Sequence, residues 1–266
     1  MVEPGSYQLD SVSYAYGTTP ALEDFTLSLA AGKFYGVVGP NGCGKSTFLD
    51  LLVGSKKPAS GTLSFNQQPL ALYKKRELAR LVALVPQNFN IGFDYSVEEV
   101  VLMGRHPYIH RFASPAAEDW QRVQEAMKII GISHFAKRSI MELSGGEKQR
   151  VVVARALAQD TPTLLFDEAT SNLDIQYSLQ IFNKVRALVR SEGRTVIAVI
   201  HNLNFAAAYC DEIIFMKKGR VSKNGPVGEV MTAETIADVF GVHSEVRFDP
   251  FSNTNQVSYR YGSIQE

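Results

Sequence analysis

Cysteine is scarce in this 266-residue chain: only Cys43 and Cys210 occur, too few for a disulfide framework, so free thiols in a reducing compartment are expected. No run of about 18 apolar residues occurs, which excludes a helix that spans a membrane. The opening residues Met1-Val2-Glu3-Pro4-Gly5 lack the basic segment and apolar core of a signal peptide. These absences lead to the expectation of a cytoplasmic protein. Charge of one sign is also missing in excess, with 27 Lys plus Arg against 27 Asp plus Glu, so no global basic field points to a nucleic-acid partner. There is no internal repeat and no low-complexity segment. What remains, 45% hydrophobic and 20% charged residues, is the composition of an ordinary soluble globular protein. A chain of this length sustains one large core, or one core with a subdomain.

One stretch organises the rest. Gly39-Pro40-Asn41-Gly42-Cys43-Gly44-Lys45-Ser46-Thr47 follows the apolar run Phe34-Tyr35-Gly36-Val37-Val38 and precedes Phe48-Leu49-Asp50-Leu51-Leu52. It fits the phosphate-binding pattern G-x-x-x-x-G-K-[ST] in its required context of strand, loop and helix. Glycines let the loop turn its N–H groups toward an anion, and the helix beginning near Gly44 adds its positive end. Lys45 is placed to neutralise the β- and γ-phosphates of a nucleoside triphosphate, and the Ser46 hydroxyl to ligate Mg²⁺. Cys43 lies inside that loop, which wraps the phosphates, so its alkylation is expected to inhibit hydrolysis of the nucleotide and the Mg²⁺-bound nucleotide to protect it.

Before the loop, Tyr7 to Tyr16 and Ala21 to Leu29 alternate apolar and polar residues as half-exposed strands. Tyr16 ends the first, where its ring can stack on a base or join the core. Beyond the loop, strands are expected at Thr62 to Phe65 and Leu81 to Pro86, with a basic helical turn at Lys74 to Arg80 between them. Gln87 stands just past the second strand, either as a ligand contact at a sheet's carboxyl edge or as a surface glutamine. From about Ser96 to Ser139 the strand pattern stops, and Trp120, Val123, Met127 and Ile130 recur at helical spacing after the start signal Ser114-Pro115. This reads as a helical subdomain inserted in an α/β core, with exposed aromatic and basic residues over Arg105 to Tyr108. His106, His110 and His134 lack metal-ligand spacing. Ser144 and Glu147 have the spacing of a capping box for a helix over Lys148 to Gln159, whose exposed start beside Gly145 and Gly146 is a second anion site or simply a well-capped helix end. Thr163-Leu164-Leu165-Phe166-Asp167-Glu168 is an apolar strand ending in two carboxylates: Asp167 can hold Mg²⁺ and Glu168 can deprotonate an attacking water. Ser171-Asn172-Leu173-Asp174 is a polar turn before a helix from Ile175 to about Arg190. The strand Thr195 to Ile200 delivers His201 to the same edge, where an imidazole can donate to a γ-phosphate. A hairpin over Glu212 to Met216 and Arg220 to Lys223 follows, and then a short tail.

Taken as a set, these residues resemble the ATP-binding cassette (ABC) ATPases, from about Tyr7 to about Gly228, with Leu143-Ser144-Gly145-Gly146-Glu147 as the specific element. The resemblance implies an α/β fold, a P-loop NTPase (RecA-like) core with an N-terminal antiparallel β subdomain and a helical subdomain inserted at about 96–145. The ATPase domain would run over 1–241 and a tail over 242–266. Tyr16 matches the adenine-stacking aromatic, Gly39 to Thr47 the Walker A loop, and Gln87 the glutamine that approaches Mg²⁺ and water. Asp167 matches the Walker B aspartate, Glu168 the catalytic glutamate, Ser171 to Asp174 the D-loop, and His201 the switch histidine. Ala169 departs from the usual proline, which would loosen the turn. ATP and Mg²⁺ are the implied cofactors. Two copies would dock head to tail, Ser144, Gly145, Gly146 and Glu147 of one facing the γ-phosphate held by Lys45 of the other. Gly104-Arg105-His106-Pro107-Tyr108 looks like a stretch of the cassettes that serve importers of iron-siderophores, haem, cobalamin and related metal chelates. This implies separate integral-membrane permease subunits, an indirect substrate-binding protein, no nucleic acid, and a peripheral position on the inner face of the cell membrane. A soluble assembly ATPase of the iron–sulfur delivery type, or the cassette of another transporter class, is the alternative.

Overall fold

The structure is a computed structural model, and it describes residues 5–89, 91–169 and 173–260. The chain opens with β1 (Tyr7–Tyr16) and β2 (Thr19–Leu29), paired antiparallel, then β3 (Phe34–Val38) and α1 (Lys45–Leu52). β4 (Ser60–Phe65) returns antiparallel to β1 and carries the short β5 (Gln68–Pro69) on its other side, completing a four-stranded sheet ordered β2-β1-β4-β5. The turn α2 (Lys75–Leu78) leads to β6 (Val82–Val85). Helices α3 (Val97–Leu102), α4 (Ala117–Ile130) and α5 (Gly145–Ala158) then pack on one another before β7 (Thr163–Asp167). After α6 (Ile175–Glu192) come β8 (Thr195–Val199), α7 (Leu203–Tyr209) and the hairpin of β9 (Glu212–Lys217) with β10 (Arg220–Pro226). The turn α8 (Val227–Val230), α9 (Ala233–Phe240), and a final hairpin of β11 (Ser244–Asp249) and β12 (Thr254–Tyr259) end the described chain.

The second sheet is the frame of the molecule. Its order is β10-β9-β3-β8-β7-β6, with every pair parallel except the β9–β10 hairpin. Strands buried on both faces read as continuous apolar runs, and the pleat sends alternate side chains to opposite sides. Accordingly Phe34 and Val38 of β3, Leu164 and Phe166 of β7, and Val196 and Ala198 of β8 join a core shared with the helices. Tyr35, Val37, Leu165, Ile197 and Val199 face a second core closed by α1 and the antiparallel sheet. Because β3, β6, β7 and β8 are parallel, their carboxyl ends lie along one edge, where open α/β sheets gather ligand contacts.

The helical layer differs from expectation in three places. α4 begins at Ala117 rather than at Ser114-Pro115, because the Asp119 carboxylate takes the Ala116 N–H at 2.9 Å and starts the helix there. Gly131 ends it in the left-handed region, as a C-terminal glycine should. Arg105, expected at the surface, is 4% exposed. Its Nε donates to Asp119 Oδ1 at 3.0 Å and its Nη1 to the carbonyl of Ala158, the last residue of α5, at 3.0 Å. Its guanidinium lies 3.9 Å from the centre of the Tyr108 ring, with Arg80 5.2 Å away from the same ring. Gly104 is required by close approach, since a Cβ there would stand 2.2 Å from the Arg155 carbonyl oxygen. Arg76 and Arg80 both donate to the Pro107 carbonyl. The stretch Gly104 to Tyr108 therefore ties α2, α4 and the end of α5 together. α5 itself starts at Gly145, three residues before the expected Lys148, because the Ser144–Glu147 capping box makes Ser144 the N-cap.

Beyond residue 241, expected as a tail, the chain forms the β11–β12 hairpin. Val257 buries its side chain in the helix-side core, and Val246, its partner across the strands, packs beside it.

Candidate functional site

The site is built where the parallel strands end. Leaving β3, the chain turns through Gly39 to Gly44, and Gly44 adopts φ 101 at the N-cap of α1 with no side-chain cap. A side chain at that φ is strained, and a Cβ would stand 2.5 Å from the Ala21 carbonyl oxygen, so glycine is the residue that can start this helix with its first N–H groups uncapped. Lys45 is 5% exposed and folds its ammonium back along the loop, donating to the carbonyls of Gly39 at 2.8 Å and Pro40 at 3.0 Å. Asn41 and Gly42 form the exposed tip. Thr47 Oγ1 lies 3.3 Å from the Tyr16 hydroxyl, which brings the half-exposed Tyr16 ring beside α1.

Next to α1, at the end of β7, Asp167 Oδ1 accepts from Ser46 Oγ at 3.1 Å. Burial pushes the Asp167 carboxyl above the usual carboxylate range; the Ser46 hydrogen bond opposes the shift and the neighbouring Glu168 charge adds to it. Glu168 stands at φ 52, a left-handed conformation that costs a non-glycine residue of order 1 kcal/mol and turns the side chain along the sheet edge. There its Oε2 accepts from Gln87 Nε2 at 2.6 Å, and its Oε1 lies 2.6 Å from His201 Nε2. Ala169 is buried against the helix-side core. Four strand ends thus deliver six groups, Lys45, Ser46, Gln87, Asp167, Glu168 and His201, to one edge. Such a set can hold a polyphosphate, accept a proton from water, and orient that water.

The remaining expected residues stand elsewhere. Ser144 to Glu147 lie at the N-terminus of α5 on the helical layer, and among the described residues no hydrogen bond joins them to Gly39 to Thr47. Asp174 caps α6, its carboxylate accepting the Tyr177 N–H at 3.0 Å. Ser171 and Asn172 lie outside the described residues. Cys43, expected to be open to alkylation in the loop, has a buried thiol. It is 4% exposed in the second core, its Sγ sits 2.8 Å from where a Cβ on Gly39 would be, and burial raises its pKa against the lowering effect of Lys45.

Sequence reasoning missed two residues beside the loop. Lys56 pairs with Asp50 and holds its ammonium 5.2 Å from the centre of the Tyr16 ring. Asp50 also contributes to the raised Asp167 pKa. The signal was present: Asp50 lies four positions after Ser46 on α1, hence on the same helix face.

The profile of a family described as ABC transporter matches residues 22–171, more than half of the chain. The chain belongs to the ABC transporter family. Over 232 residues this cassette is 41% identical to the cobalamin import ATP-binding protein BtuD of Halobacterium salinarum, covering 87% of the chain and 58% of that relative's length. It is 35% identical over 245 residues to the ferric enterobactin transport ATP-binding protein FepC of Escherichia coli K12, covering 92% of the chain and 90% of the relative. Among solved structures it superposes with TM-score 0.83 and 29% identity on a protein described as a metal-chelate type ABC transporter in an inward-facing conformation, covering 97% of this chain and 98% of that one. It also matches, with TM-score 0.74 and 30% identity over 83% of the chain and 98% of the other, the dimeric cassette MJ0796 in a post-hydrolysis state with ADP and Pi.

Proposed function

We propose that this cassette is the ATP-hydrolysing subunit of an importer, and that it works as a homodimer to energise uptake of a metal chelate through separate permease subunits. The observation that carries the chemistry is the edge cluster in which Glu168 is held by Gln87 and His201 beside the Ser46–Asp167 pair. The names of the similar relatives, which import cobalamin and ferric enterobactin, support the substrate class. The dimer of the similar cassette supports the pairing. Among the described residues no helix is long and apolar enough to cross a membrane, so in this reading the cassette reaches the inner face of the membrane through its permease and contacts the substrate-binding protein indirectly. A groove of about 840 Å³ beside the helical layer, lined by Arg76, Tyr95, Met103, His106, Ile109 and Phe112, offers the permease an apolar floor with a cationic rim.

The donor set fits a hard cation. Ser46 Oγ and Asp167 Oδ1 converge at 3.1 Å, and the carboxylates of Asp50 and Glu168 raise the affinity of Asp167 for positive charge. Ser46 and Asp167 would hold Mg²⁺, which supplies charge neutralisation at the β- and γ-phosphates. The chain's own residues do the rest. Lys45 exchanges its contacts with the Gly39 and Pro40 carbonyls for phosphate oxygens. Tyr16, with Lys56 at its ring, offers the adenine a face. Glu168 accepts the proton of the attacking water, while Gln87 and His201 hold its carboxylate in line. Ser144, Gly145 and Gly146 of a second copy present the start of α5 to the γ-phosphate.

The test is Glu168→Gln in the full chain. It should abolish steady-state hydrolysis, retain ATP binding, and run as a dimer on size exclusion with ATP. A monomer under those conditions, or undiminished turnover, refutes the shared-site mechanism. Extraction of the tagged chain from membranes with detergent should recover integral-membrane partners; recovery of soluble partners alone would overturn the importer reading.

A further inference from the structure

His201 sits on a short link between two anchors of unequal strength. On one side is β8, the fourth strand of the six-stranded sheet counted from β10, whose continuation is pinned by the Ile200 N–H donating to the Val37 carbonyl at 3.1 Å. On the other is α7, a helix of only 7 residues, too short to be stable without tertiary support. The two anchors must both hold if His201 Nε2 is to stay 2.6 Å from Glu168.

α7 draws its support from two directions. Along α6, Phe205 and Tyr209 stack on Phe182 at 5.7 and 5.1 Å between ring centres, and the Tyr209 hydroxyl reaches Asn183 at 3.0 Å. On the opposite flank the terminal hairpin clasps the helix through backbone groups. Asn204 Oδ1 accepts the Val257 N–H at 2.6 Å and Asn204 Nδ2 donates to the Val257 carbonyl at 3.4 Å, so one amide side chain engages both polar groups of a β12 residue. Thr254 Oγ1 donates to the Ala207 carbonyl at 3.0 Å. The same Asn204 gives its own N–H to Asn202, the residue beside His201 and the N-cap of α7. An unbroken series of contacts runs from Glu168 through His201 and Asn202 to Asn204 and Val257.

We infer that Asn204 is a positioning residue for His201, and that the β11–β12 hairpin is the brace through which it acts. The inference rests on the proposed role of His201 in ATP hydrolysis. The hairpin touches no reacting atom; it fixes the start of α7, and α7 fixes the imidazole. Phe248 of β11 and Phe251 in the turn after it are exposed.

The experiment compares wild type, Asn204→Ala and Asn204→Asp in the full chain. Three quantities are read: kcat and KM for ATP, melting temperature, and the ring-nitrogen resonances of ¹⁵N-histidine-labelled protein, in which five histidines are to be assigned. Asn204→Ala should lower kcat about 10-fold while KM stays within about 2-fold, as expected when a catalytic group is misplaced and the phosphate loop is not. The His201 Nε2 resonance should move. Asn204→Asp keeps the acceptor for the Val257 N–H and should restore most of kcat and return the resonance. A lower melting temperature in Asn204→Ala with kcat and the His201 resonance unchanged would overturn the inference and leave the hairpin a structural element only. Equal loss in Asn204→Asp would overturn it too. If the wild type hydrolyses no ATP, the proposed function fails, and the His201 resonance alone still decides the brace: movement in Asn204→Ala supports it and constancy refutes it.

Discussion

Replacing Asp119 by alanine removes the carboxylate that pairs with the buried Arg105 guanidinium at 3.0 Å. Arg105 is 4% exposed and Asp119 7%, so the pair is held where water cannot compensate either charge. Without Asp119, Arg105 keeps the Ala158 carbonyl and the face of Tyr108, but its positive charge is left uncompensated. Breaking a buried ion pair from one side costs about 3–5 kcal/mol. The Ala116 N–H also loses its acceptor at the start of α4, which lies within that range rather than beyond it. At about 2 °C per kcal/mol for a chain of this size, the melting temperature should fall about 6–10 °C. The check is urea and thermal unfolding of Asp119→Ala, Arg105→Met and the double variant Arg105→Met/Asp119→Leu. The double variant replaces the pair by apolar volume and should recover most of the loss, because two desolvation penalties vanish with the attraction. A loss below about 1 kcal/mol in Asp119→Ala would refute the buried-pair argument, as would a double variant as unstable as the sum of the singles.

Two further outcomes follow from the site. Cys43 should react with maleimide far more slowly than a free thiol, with or without MgATP, because burial both hides the sulfur and disfavours its thiolate; rapid labelling that nucleotide blocks would mean the thiol turns outward. The raised Asp167 pKa means that the folded chain binds that proton more tightly than the unfolded chain does, so this group's contribution to stability declines as pH rises from the usual carboxylate value through the raised one. Asp167→Asn, neutral throughout and still able to accept from Ser46, should therefore melt above wild type at pH 7 without nucleotide and converge with it in acid. A lower melting point by the same margin at both pH values would contradict that sign.

How much of this was legible depended on how far each residue's partner lies along the chain. The phosphate loop, the Ser144–Glu147 cap and the strand ends carrying Asp167 and His201 are local chemistry: a glycine turn before a helix, a hydroxyl three residues from a carboxylate, an apolar run that stops at an acid. Their element types could be read from a few consecutive residues. Arg105 could not, because its burial is decided by Asp119 on α4 and by the Ala158 carbonyl 53 residues away. The sequence around it, with a histidine and a tyrosine, has the look of a surface. Cys43 failed for a related reason. Its position in the loop is local, but the direction of its side chain is set by the path of the loop against the β9–β10 turn, where the Gly219 N–H donates to the Cys43 carbonyl at 3.1 Å. The β11–β12 hairpin was missed because its strands are held by Asn204 and Ala207 on α7, and neither strand has a long apolar alternation of its own.

The same distinction bears on the proposal that a second copy completes the site. Along the sheet edge each polar group is matched by a neighbour from the same chain: Lys45 by loop carbonyls, Ser46 by Asp167, Glu168 by Gln87 and His201. At the start of α5 the capping box satisfies the Ser144 and Glu147 N–H groups, and helix geometry leaves those of Gly145 and Gly146 pointing outward along the axis. Fourteen residues of α5, about 21 Å at helical rise, then separate those donors from the Arg105 clamp at Ala158. A rigid rod anchored at its far end does not bend back to its own phosphate loop. In the proposed mechanism the outward-facing donors are therefore useful only to a second copy, and a lesion at Arg105 or Asp119 should weaken ATP-driven pairing of Glu168→Gln chains while nucleotide binding to Gly39 to Thr47 is retained. Intact pairing in a folded Asp119→Ala/Glu168→Gln chain would show that the clamp holds the layer together without aiming α5.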